Sequence, residues 1–390
     1  MDDGALRALW DRARRAVDRT QVQRAEGRTL PVSRYLDPAR LERERALLRR
    51  WPQVACASAR VAAPGDWTTV ELLGVPILVV RGEDGVLRAF LNVCRHRGAV
   101  VAQGRGAGRS RFVCRYHSWT YDAAGRLVGR PQEDDFAHAP RGTHGLVEVP
   151  VAVRCGIVWV VPTRGTDFDW SGYFGPLADE VESLGYRDDS VCPREGESRH
   201  AANWKLLIEG TLETYHFQYL HRNTIAPHFH DDAVIQDHDG PHQRIVIPRR
   251  SFPEAAEHID APTVEHLGRH ASVIYFFFPC SFLLWNGNHA SVFVMRPEAV
   301  DRTVTDSFLI VTPAHFAAWP DEHWSANWDR LWNPLSEDYE QNVSAQKGMA
   351  SGANAVLTFG TNEFAAPAFA RALEASLDAQ DRGPVPPGAG

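Results

Sequence analysis

The sequence has no long apolar run. Its longest stretch of this kind, "ASVIYFFFPCSFLLW" (Ala271–Trp285), is interrupted by Pro279 and Ser281, whereas a membrane-spanning helix needs about 20 consecutive apolar residues. The N-terminal "MDDGALRALW" opens with acidic residues and has no apolar core, so we expect no secretion signal. We therefore predict a cytoplasmic protein that does not use a membrane as a partner.

An excess of positive charge is also missing. Lysine and arginine together number 42 against 49 aspartate and glutamate residues, and the formal net charge is −7. Nucleic-acid-binding domains are usually basic, with a pI above about 9. The acidic balance therefore predicts that nucleic acid is not a partner.

Cysteine is sparse and scattered. Six cysteines in 390 residues, with no secretion signal, predict reduced thiols or metal ligands rather than a disulfide framework. Cys94 and Cys114 differ from the rest because each has a histidine close by. The other four have apolar or small neighbours and are interpreted as plain core or surface residues: Cys56, Cys155, Cys192 and Cys280.

No internal repeat is visible, but the composition changes along the chain. Residues 51–165 are rich in short β-branched and aromatic runs separated by glycine and aspartate, a pattern typical of a small antiparallel β domain. Residues 166–380 mix helix-prone stretches with longer strands and are predicted to form a second domain. The charged, helix-prone segment 1–50 is predicted to pack on that second domain, and the tail 381–390, "DRGPVPPGAG", to be disordered.

Two cysteine–histidine pairs stand at the ends of strands that we predict in the β domain. "CRHRG" gives Cys94-x-His96, and after 17 residues "CRYHSW" gives Cys114-x-x-His117. A structural zinc site uses the same ligand types. Each arm, however, mixes one cysteine with one histidine. That arrangement is typical of a [2Fe–2S] centre in which two histidines replace two cysteines on one of the irons.

The surroundings of these pairs, "LNVCRHRGAVV" and "FVCRYHSWTYDAAGRL", resemble the Rieske ferredoxin pattern. The resemblance implies that Cys94 and Cys114 bind one iron and that His96 and His117 bind the other. Rieske proteins of the respiratory complexes carry an additional cysteine in each loop, and this chain has none there. A stand-alone Rieske ferredoxin is much shorter than this chain, so the remaining residues need another role.

The segment "NWKLLIEGTLETYHFQYLH" (Asn203–His221) is apolar and aromatic, yet it carries Glu209, Glu213, His216 and His221. Burying ionisable side chains is unfavourable unless they are paired or bind a metal. Two histidines and one carboxylate form the facial triad of non-haem Fe(II) oxygenases, which leaves open positions for dioxygen and substrate. A spacing of five is imperfect for one helical face, so we expect a bulge or a helix end between the two histidines.

This segment resembles the signature of the large subunits of Rieske non-haem iron oxygenases, and the resemblance spans roughly residues 35–365. In that family the third ligand is an aspartate on a C-terminal helix. The segment "LSEDYEQNVSAQKGMASG" matches that helix, so the resemblance implies Asp338 as the ligand, with Glu337 as the alternative. The family position of Glu213 holds an acid, most often Asp, that bridges the two metal centres across a subunit boundary. Glu209 lies a further turn back and either orients the site or forms a helix salt bridge.

The resemblance implies an α+β fold, in which a Rieske β-sandwich domain is inserted near the N-terminus of a catalytic domain with a large antiparallel sheet and covering helices. The implied cofactors are a [2Fe–2S] cluster and a mononuclear non-haem Fe(II). Electrons would come from an NAD(P)H-dependent flavin and iron–sulfur reductase, directly or through a ferredoxin, because this chain has no flavin or nicotinamide fingerprint. A homotrimer is expected, since electrons cross between neighbours in this family.

Positive charge is concentrated in one place. From Gly85 to Tyr121 the chain has seven arginines and no acidic residue. These arginines form either a solvated basic surface or a docking patch for an acidic electron donor, whose encounter complementary charge would speed.

The substrate follows less directly. With glutamate at the bridging position, and in its C-terminal motif, the sequence resembles the carnitine-type and other quaternary-ammonium oxygenases. Monooxygenation of a small organic molecule such as a quaternary amine, by hydroxylation or oxidative N- or O-demethylation, is the first hypothesis. Ring hydroxylation or dihydroxylation of an aromatic acid is the alternative, and an electron-transfer protein with a binding module is the hypothesis from another class. The pocket is expected to include strand residues that suit a cation or a stacked ring: Phe276, Phe278, Phe282, Trp285 and Asn286.

Overall fold

The computed structural model describes residues 1–164 and 167–382, which form two compact units. The inserted unit comprises Leu48–Phe174 and Tyr186–Cys192. The split unit comprises Met1–Leu47, Gly175–Gly185 and the chain from Pro193 onward. The sequence placed the divisions near residues 50 and 165 and did not anticipate the return of 186–192. Of the tail predicted to be disordered, residues 383–390 lie outside the described residues.

Helices make up most of the connections of the split unit. Several begin with a side chain that accepts a hydrogen bond from a free backbone N–H of the first turn: Asp2 accepts from Ala5 at 2.8 Å and Asn203 from Lys205 at 3.1 Å. The helices of the described residues are α1 (Asp3–Val17), α2 (Ser33–Leu36), α3 (Pro38–Leu48), α4 (Trp170–Ser183), α5 (Trp204–Thr211), α6 (Phe217–Leu220), α7 (Phe252–His258), α8 (Val264–His270), α9 (Pro313–Ala318), α10 (Asp321–Ala350) and α11 (Ala365–Arg382).

The strands are short in the inserted unit and longer in the split unit. They are β1 (Arg28–Pro31), β2 (Gln53–Ala57), β3 (Trp67–Leu72), β4 (Val75–Arg81), β5 (Leu87–Leu91), β6 (Arg105–Gly106), β7 (Arg111–Val113), β8 (Thr120–Asp122), β9 (Leu127–Gly129), β10 (Glu148–Val149), β11 (Val151–Arg154), β12 (Ile157–Val160), β13 (Glu195–His200), β14 (Ile235–Asp239), β15 (His242–Pro248), β16 (Ala271–Phe277), β17 (Ser281–Trp285), β18 (Ala290–Ala299), β19 (Arg302–Ile310) and β20 (Val356–Phe359).

The inserted unit is built from three antiparallel sheets, with strand orders β10-β5-β4-β3-β6, β11-β12-β2 and β7-β8-β9. One apolar core lies between the first two sheets, where Val79 of β4 and Val158 of β12 are fully buried. A second core includes Cys94 and Cys114 together with large rings such as Tyr121. The two cysteine-bearing loops are therefore fixed by packed β structure, as the β-sandwich prediction requires.

The split unit contains a seven-stranded antiparallel sheet of order β13-β19-β18-β17-β16-β15-β14. Every residue of β16 is buried, and helix α8 packs against this strand. Helix α5 packs against β18 and against α10 and α11, and the ring of Trp204 meets that of Phe369 edge to face. The predicted α+β architecture, with a β domain inserted before a large antiparallel sheet, is confirmed.

None of the described helices is long and apolar enough to cross a membrane.

Candidate functional site

Two loops of the inserted unit hold Cys94 and Cys114 in nearly the same local geometry. In each loop the residue four places after the cysteine, Gly98 or Ser118, has a positive φ, 79° or 56°. Glycine adopts this conformation readily, whereas serine is strained there. The same two backbone hydrogen bonds close each loop. The cysteine N–H donates to the carbonyl five residues later, at 2.8 Å from Cys94 to Ala99 and from Cys114 to Trp119. The N–H four residues later donates to the cysteine carbonyl, at 3.0 Å from Gly98 to Cys94 and at 2.9 Å from Ser118 to Cys114.

The four side chains of these loops fit a histidine-ligated [2Fe–2S] cluster. Cys94 and Cys114 are free thiols, only 3% and 1% exposed, and burial raises the pKa of Cys94 although the nearby Tyr121 hydroxyl opposes the shift. The rings of His96 and His117 lie 4.5 Å apart. The His96 Nδ1 is buried without a hydrogen-bond partner. A bound iron would stabilise the buried thiolates and satisfy that nitrogen.

His216 and His221 flank the single turn α6 in the split unit. Helix α5 ends at Thr211, His216 directly precedes α6, and His221 directly follows it. The predicted helix end between the two histidines is present, because the single helical turn α6 begins after His216 and ends at Leu220, before His221. This turn brings their Nε2 atoms to 3.2 Å of each other.

Asp338 of α10 completes a cluster with these histidines. Its Oδ1 lies 3.3 Å from the His216 Nε2 and 2.9 Å from the His221 Nε2. One ligand atom from each of the three residues lies within 4.8 Å of the others. Two neutral imidazoles and a carboxylate that converge in this way fit the ligand set of a mononuclear non-haem iron.

Two further carboxylates lie behind the histidines. The Glu337 Oε2 accepts a hydrogen bond from the His221 Nδ1 at 2.5 Å and from the Thr224 hydroxyl at 2.9 Å. Glu213 accepts from the His216 Nδ1 in the same way. Carboxylates in this position fix the ring orientation of metal-binding histidines. This geometry favours Asp338 over Glu337 as the third ligand, because Glu337 faces the far side of His221.

The histidine–aspartate cluster stabilises positive charge. Burial lowers the pKa of His216, but hydrogen bonds to Asp338 and Glu213 outweigh burial and raise the pKa to about 10. Burial would raise the pKa of Asp338, yet its bonds to the two histidines hold that pKa below its usual range. Three carboxylates around two imidazoles therefore favour a cation at their centre.

Glu213 lies in the turn after α5, where its Oε2 accepts from the backbone N–H groups of Tyr215 and, at 3.3 Å, of His216. The same side chain thus shapes the turn and holds the His216 ring. Its bridging to a second metal centre stays a prediction.

Glu209 was expected to orient the site or to form a helix salt bridge. Within the described chain it forms no hydrogen bond or ion pair with either histidine. It lies 4% exposed in the core, where the Tyr35 hydroxyl donates to its Oε2 at 2.7 Å. The reason is helical periodicity: Glu209 points from α5 toward the N-terminal segment, whereas the histidines follow after the helix has ended.

The environment of Glu209 predicts a pH-dependent stability. Burial raises its pKa to about 7, against the pull of Tyr35, Arg34 and Lys205. The folded state then holds this proton more tightly than the unfolded state, so the associated stability is present below pH 4.5 and is lost as pH rises through 7. Relative to Glu209→Gln, the wild type should lose about 3 kcal/mol between these limits, as measured by urea unfolding at several pH values. Parallel stability curves for the two proteins would contradict the assignment.

A cavity of about 610 Å³ opens beside the histidine–aspartate cluster. Its wall is partly apolar, with Phe217, Ile274 and Phe293, and partly polar, with Arg249 and Asn286. His216, His221 and Asp338 all line it. A small molecule in this cavity would therefore lie against the predicted iron ligands.

Of the five residues predicted to line the pocket, Asn286 does and the other four do not. Phe276 and Phe282 lie on the cavity face of the sheet but farther along it, where Phe276 meets the ring of Phe369 of α11. Phe278 follows the end of β16 and also approaches Phe369. Trp285 alternates to the opposite face and donates to the Gly287 carbonyl. The sequence identified the strands but not the ends and faces that border the cavity.

Among the cavity residues that the sequence did not predict, Ile274 and Leu284 lie two places from Phe276 and Phe282 on the same strands. Ser272 and Ile274 of β16, Leu284 of β17 and Phe293 of β18 share one face of the sheet. Strand alternation from Asn286 would have selected Leu284. Nothing in the sequence signalled Arg249, which ends the run "RIVIPR".

Comparison with known protein families assigns both halves of the chain. Residues 51–149 match the family described as Rieske [2Fe-2S] domain, and residues 186–379 match the family described as ring hydroxylating alpha subunit (catalytic domain). The first match contains all four residues of the cysteine–histidine loops, and the second contains His216, His221 and Asp338.

Individual proteins resemble the chain over different lengths. The glycine betaine monooxygenase oxygenase subunit of Chromohalobacter salexigens is 28% identical over 90% of this chain and 86% of its own length. The carnitine monooxygenase oxygenase subunit of Escherichia coli is 29% identical, but over only 54% of this chain and 55% of its own length. A crystal structure of the quaternary ammonium Rieske monooxygenase CntA with an inhibitor shares the fold, with a TM-score of 0.77 and 21% identity over 90% of this chain and 95% of that chain.

Proposed function

Because this chain belongs to the Rieske-type non-haem iron oxygenases, we propose that its cavity binds a small organic substrate for O2-dependent monooxygenation. The proposal rests on the cavity that His216, His221 and Asp338 line together. The chain would be the terminal oxygenase component of a multicomponent system. The first candidate substrate is a quaternary amine, as in the relatives named for glycine betaine and carnitine.

The two cofactors of this family are a Rieske [2Fe–2S] cluster and a mononuclear non-haem iron. We assign the cluster to Cys94, Cys114, His96 and His117, and the mononuclear iron to the histidine–aspartate cluster. When bound, the cluster supplies single electrons and the mononuclear iron binds dioxygen for attack on a C–H or C=C bond.

The protein's own residues prepare this site. Glu213 and Glu337 each accept a hydrogen bond from the Nδ1 of one histidine, which fixes both rings with their Nε2 atoms, the ones that would bind the iron, facing the same point. Phe217, Phe229 and Phe293 form the apolar part of the wall, which excludes water and gives a quaternary ammonium group aromatic faces to contact.

Oligomer and partners belong to the same proposal. A homotrimer would bring the Rieske unit of one subunit to Glu213 of the next. The rings of Tyr215 and Tyr219 beside Glu213 are 50% and 58% exposed, and exposed aromatic surface is typical of a protein interface. An NAD(P)H-dependent reductase, directly or through a ferredoxin, would supply electrons. The cytoplasmic location stays a prediction from the sequence.

The proposal predicts three irons per chain in protein purified anaerobically, two in the cluster and one mononuclear. The reduced protein should show the EPR spectrum of a histidine-ligated [2Fe–2S] centre. With a heterologous reductase, NADH consumption should be coupled to product formation for at least one substrate among quaternary amines, methoxyarenes and aromatic acids. An electron carrier with a binding module would contain two irons and form no product. Stoichiometric zinc without visible colour would overturn the whole assignment.

A further inference from the structure

The cavity contains an arginine, Arg249, that pairs with no acidic side chain in the described part of the chain. Arg249 follows β15 and lines the wall that also holds the predicted iron ligands. Its Nη2 donates to the Ser272 hydroxyl at 3.1 Å and to the Asn286 Oδ1 at 3.3 Å. Its Nε is buried and makes no hydrogen bond to any residue that the structure describes. Its guanidinium lies over the ring of Phe229, 5.2 Å from the ring centre.

Three other buried or half-buried arginines of the split unit each have a carboxylate partner. Arg34 pairs with Glu374, Arg296 with Asp306, and Arg244 with Glu180 at 2.6 Å and Asp237 at 2.5 Å. Among the described residues no carboxylate pairs with Arg249. Burial lowers its pKa, and no acid opposes that shift. A guanidinium remains charged in proteins, so an unpaired, partly buried one is unfavourable unless an anion joins it.

The neighbours of Arg249 hold it in place without neutralising it. The Asn286 Oδ1 accepts from both Arg249 and the Ser272 hydroxyl, the latter at 2.7 Å. With this oxygen turned toward Arg249, the amide NH2 of Asn286 is a second donor at the cavity wall. A guanidinium with a neighbouring amide is a geometry suited to a carboxylate.

We propose that Arg249 binds a carboxylate of the substrate, with Asn286 as the second donor. This inference rests on the proposed function and narrows its substrate class to organic acids that reach from Arg249 to the histidine–aspartate cluster. Zwitterionic betaines and aromatic acids both have such a group. A quaternary amine with an alcohol in place of the carboxylate places a net cation beside Arg249 and is excluded as a good substrate.

Two matched ligand pairs test this assignment: glycine betaine with choline, and 4-methoxybenzoate with 4-methoxybenzyl alcohol. In each pair a carboxylate is replaced by a hydroxymethyl group on the same skeleton. In calorimetric titration of the anaerobic holoenzyme, the acid of at least one pair should bind and its alcohol should bind at least about 30-fold more weakly. Arg249→Met should weaken binding of that acid by a similar factor and leave the weak binding of the alcohol unchanged, so that the preference disappears.

The control for this variant is Arg250→Met. Arg250 is the next residue, is exposed, and contacts His230 at 3.3 Å, so acid binding should stay within about twofold of wild type. Iron content and the cluster spectrum should match wild type in both variants, which shows that both are folded. Arg249→Lys should restore part of the acid preference because it keeps the charge but loses the planar fork.

The two proposals fail in different ways. If no compound of any class is oxidised, the proposed monooxygenation is wrong. If substrates are oxidised but alcohols bind as well as acids, or if Arg249→Met keeps the acid preference, the carboxylate assignment is wrong while the oxygenase function stands.

Discussion

Replacing His221 by alanine is expected to abolish product formation and to leave the cluster spectrum intact. The His221 side chain is fully buried, and its Nε2 lies 2.9 Å from the Asp338 Oδ1. Loss of one of the three proposed ligands should remove the mononuclear iron, and with it a contribution of several kcal/mol to the reaction. Turnover should therefore fall at least about 1000-fold. Iron analysis should find two irons per chain instead of three, while the visible absorption stays as in wild type.

Cys114→Ser is the matched opposite of this variant. It should remove the cluster and its colour and leave the histidine–aspartate cluster able to bind one iron. If His221→Ala retained turnover, or lost the cluster spectrum as well, the two sites would not be separate in the way that the geometry indicates.

Variants of Asp338 and Glu337 are expected to differ, because one residue is the proposed iron ligand and the other orients a ligand. Asp338→Ala should behave like His221→Ala, because its Oδ1 meets both histidines. Glu337→Gln should keep most of the iron and reduce turnover by about 10-fold to 100-fold, since it holds the His221 ring only from behind. The reverse order of effects would make Glu337 the third ligand.

Short local patterns carried most of what the sequence could predict. The Cys94 and Cys114 loops close on themselves through backbone bonds that span only four or five residues, so their ligand spacing survives any change elsewhere. His216 and His221 are likewise held by one turn of helix. These elements can be predicted from short stretches of sequence. Their resemblance to a known family also predicted the fold class, which the structure confirms.

The cavity and the buried polar network depended on information that is not local. Phe282 and Leu284 are two residues apart on one strand and one face, yet only Leu284 borders the cavity, because α11 covers the other end of the sheet. The partner of Glu209 is Tyr35, 174 residues away. Arg249 is distinguished from the other arginines by forming no ion pair with the acidic residues of the described chain, and only the tertiary contacts reveal this. Apolar sequence therefore identifies the strands. The register of the strands and the helices that cover the sheet determine which strand residues line the cavity.

Glu213 accepts hydrogen bonds from the Nδ1 of His216 and from the backbone N–H groups of Tyr215 and His216. From the family resemblance we expect this acid to bridge to His117 of an adjacent subunit. A carboxylate can accept from both imidazoles at once, whereas an amide can accept with one atom only and presents N–H groups at the other. Glu213→Gln therefore breaks one of the two links without leaving a cavity.

The expected result for Glu213→Gln is a selective loss. Iron content and oligomeric state should equal those of wild type, and reduction of the cluster by the partner should stay as fast, because the change lies in the split unit away from Cys94 and Cys114 in sequence. In single-turnover experiments with oxygen and substrate, re-oxidation of the cluster should slow at least about 100-fold. Stopped-flow absorbance of the cluster measures both rates in one protein. A merely structural role would instead lower iron content or stability with the re-oxidation rate per intact site unchanged, and turnover at the wild-type rate would remove the bridging role altogether.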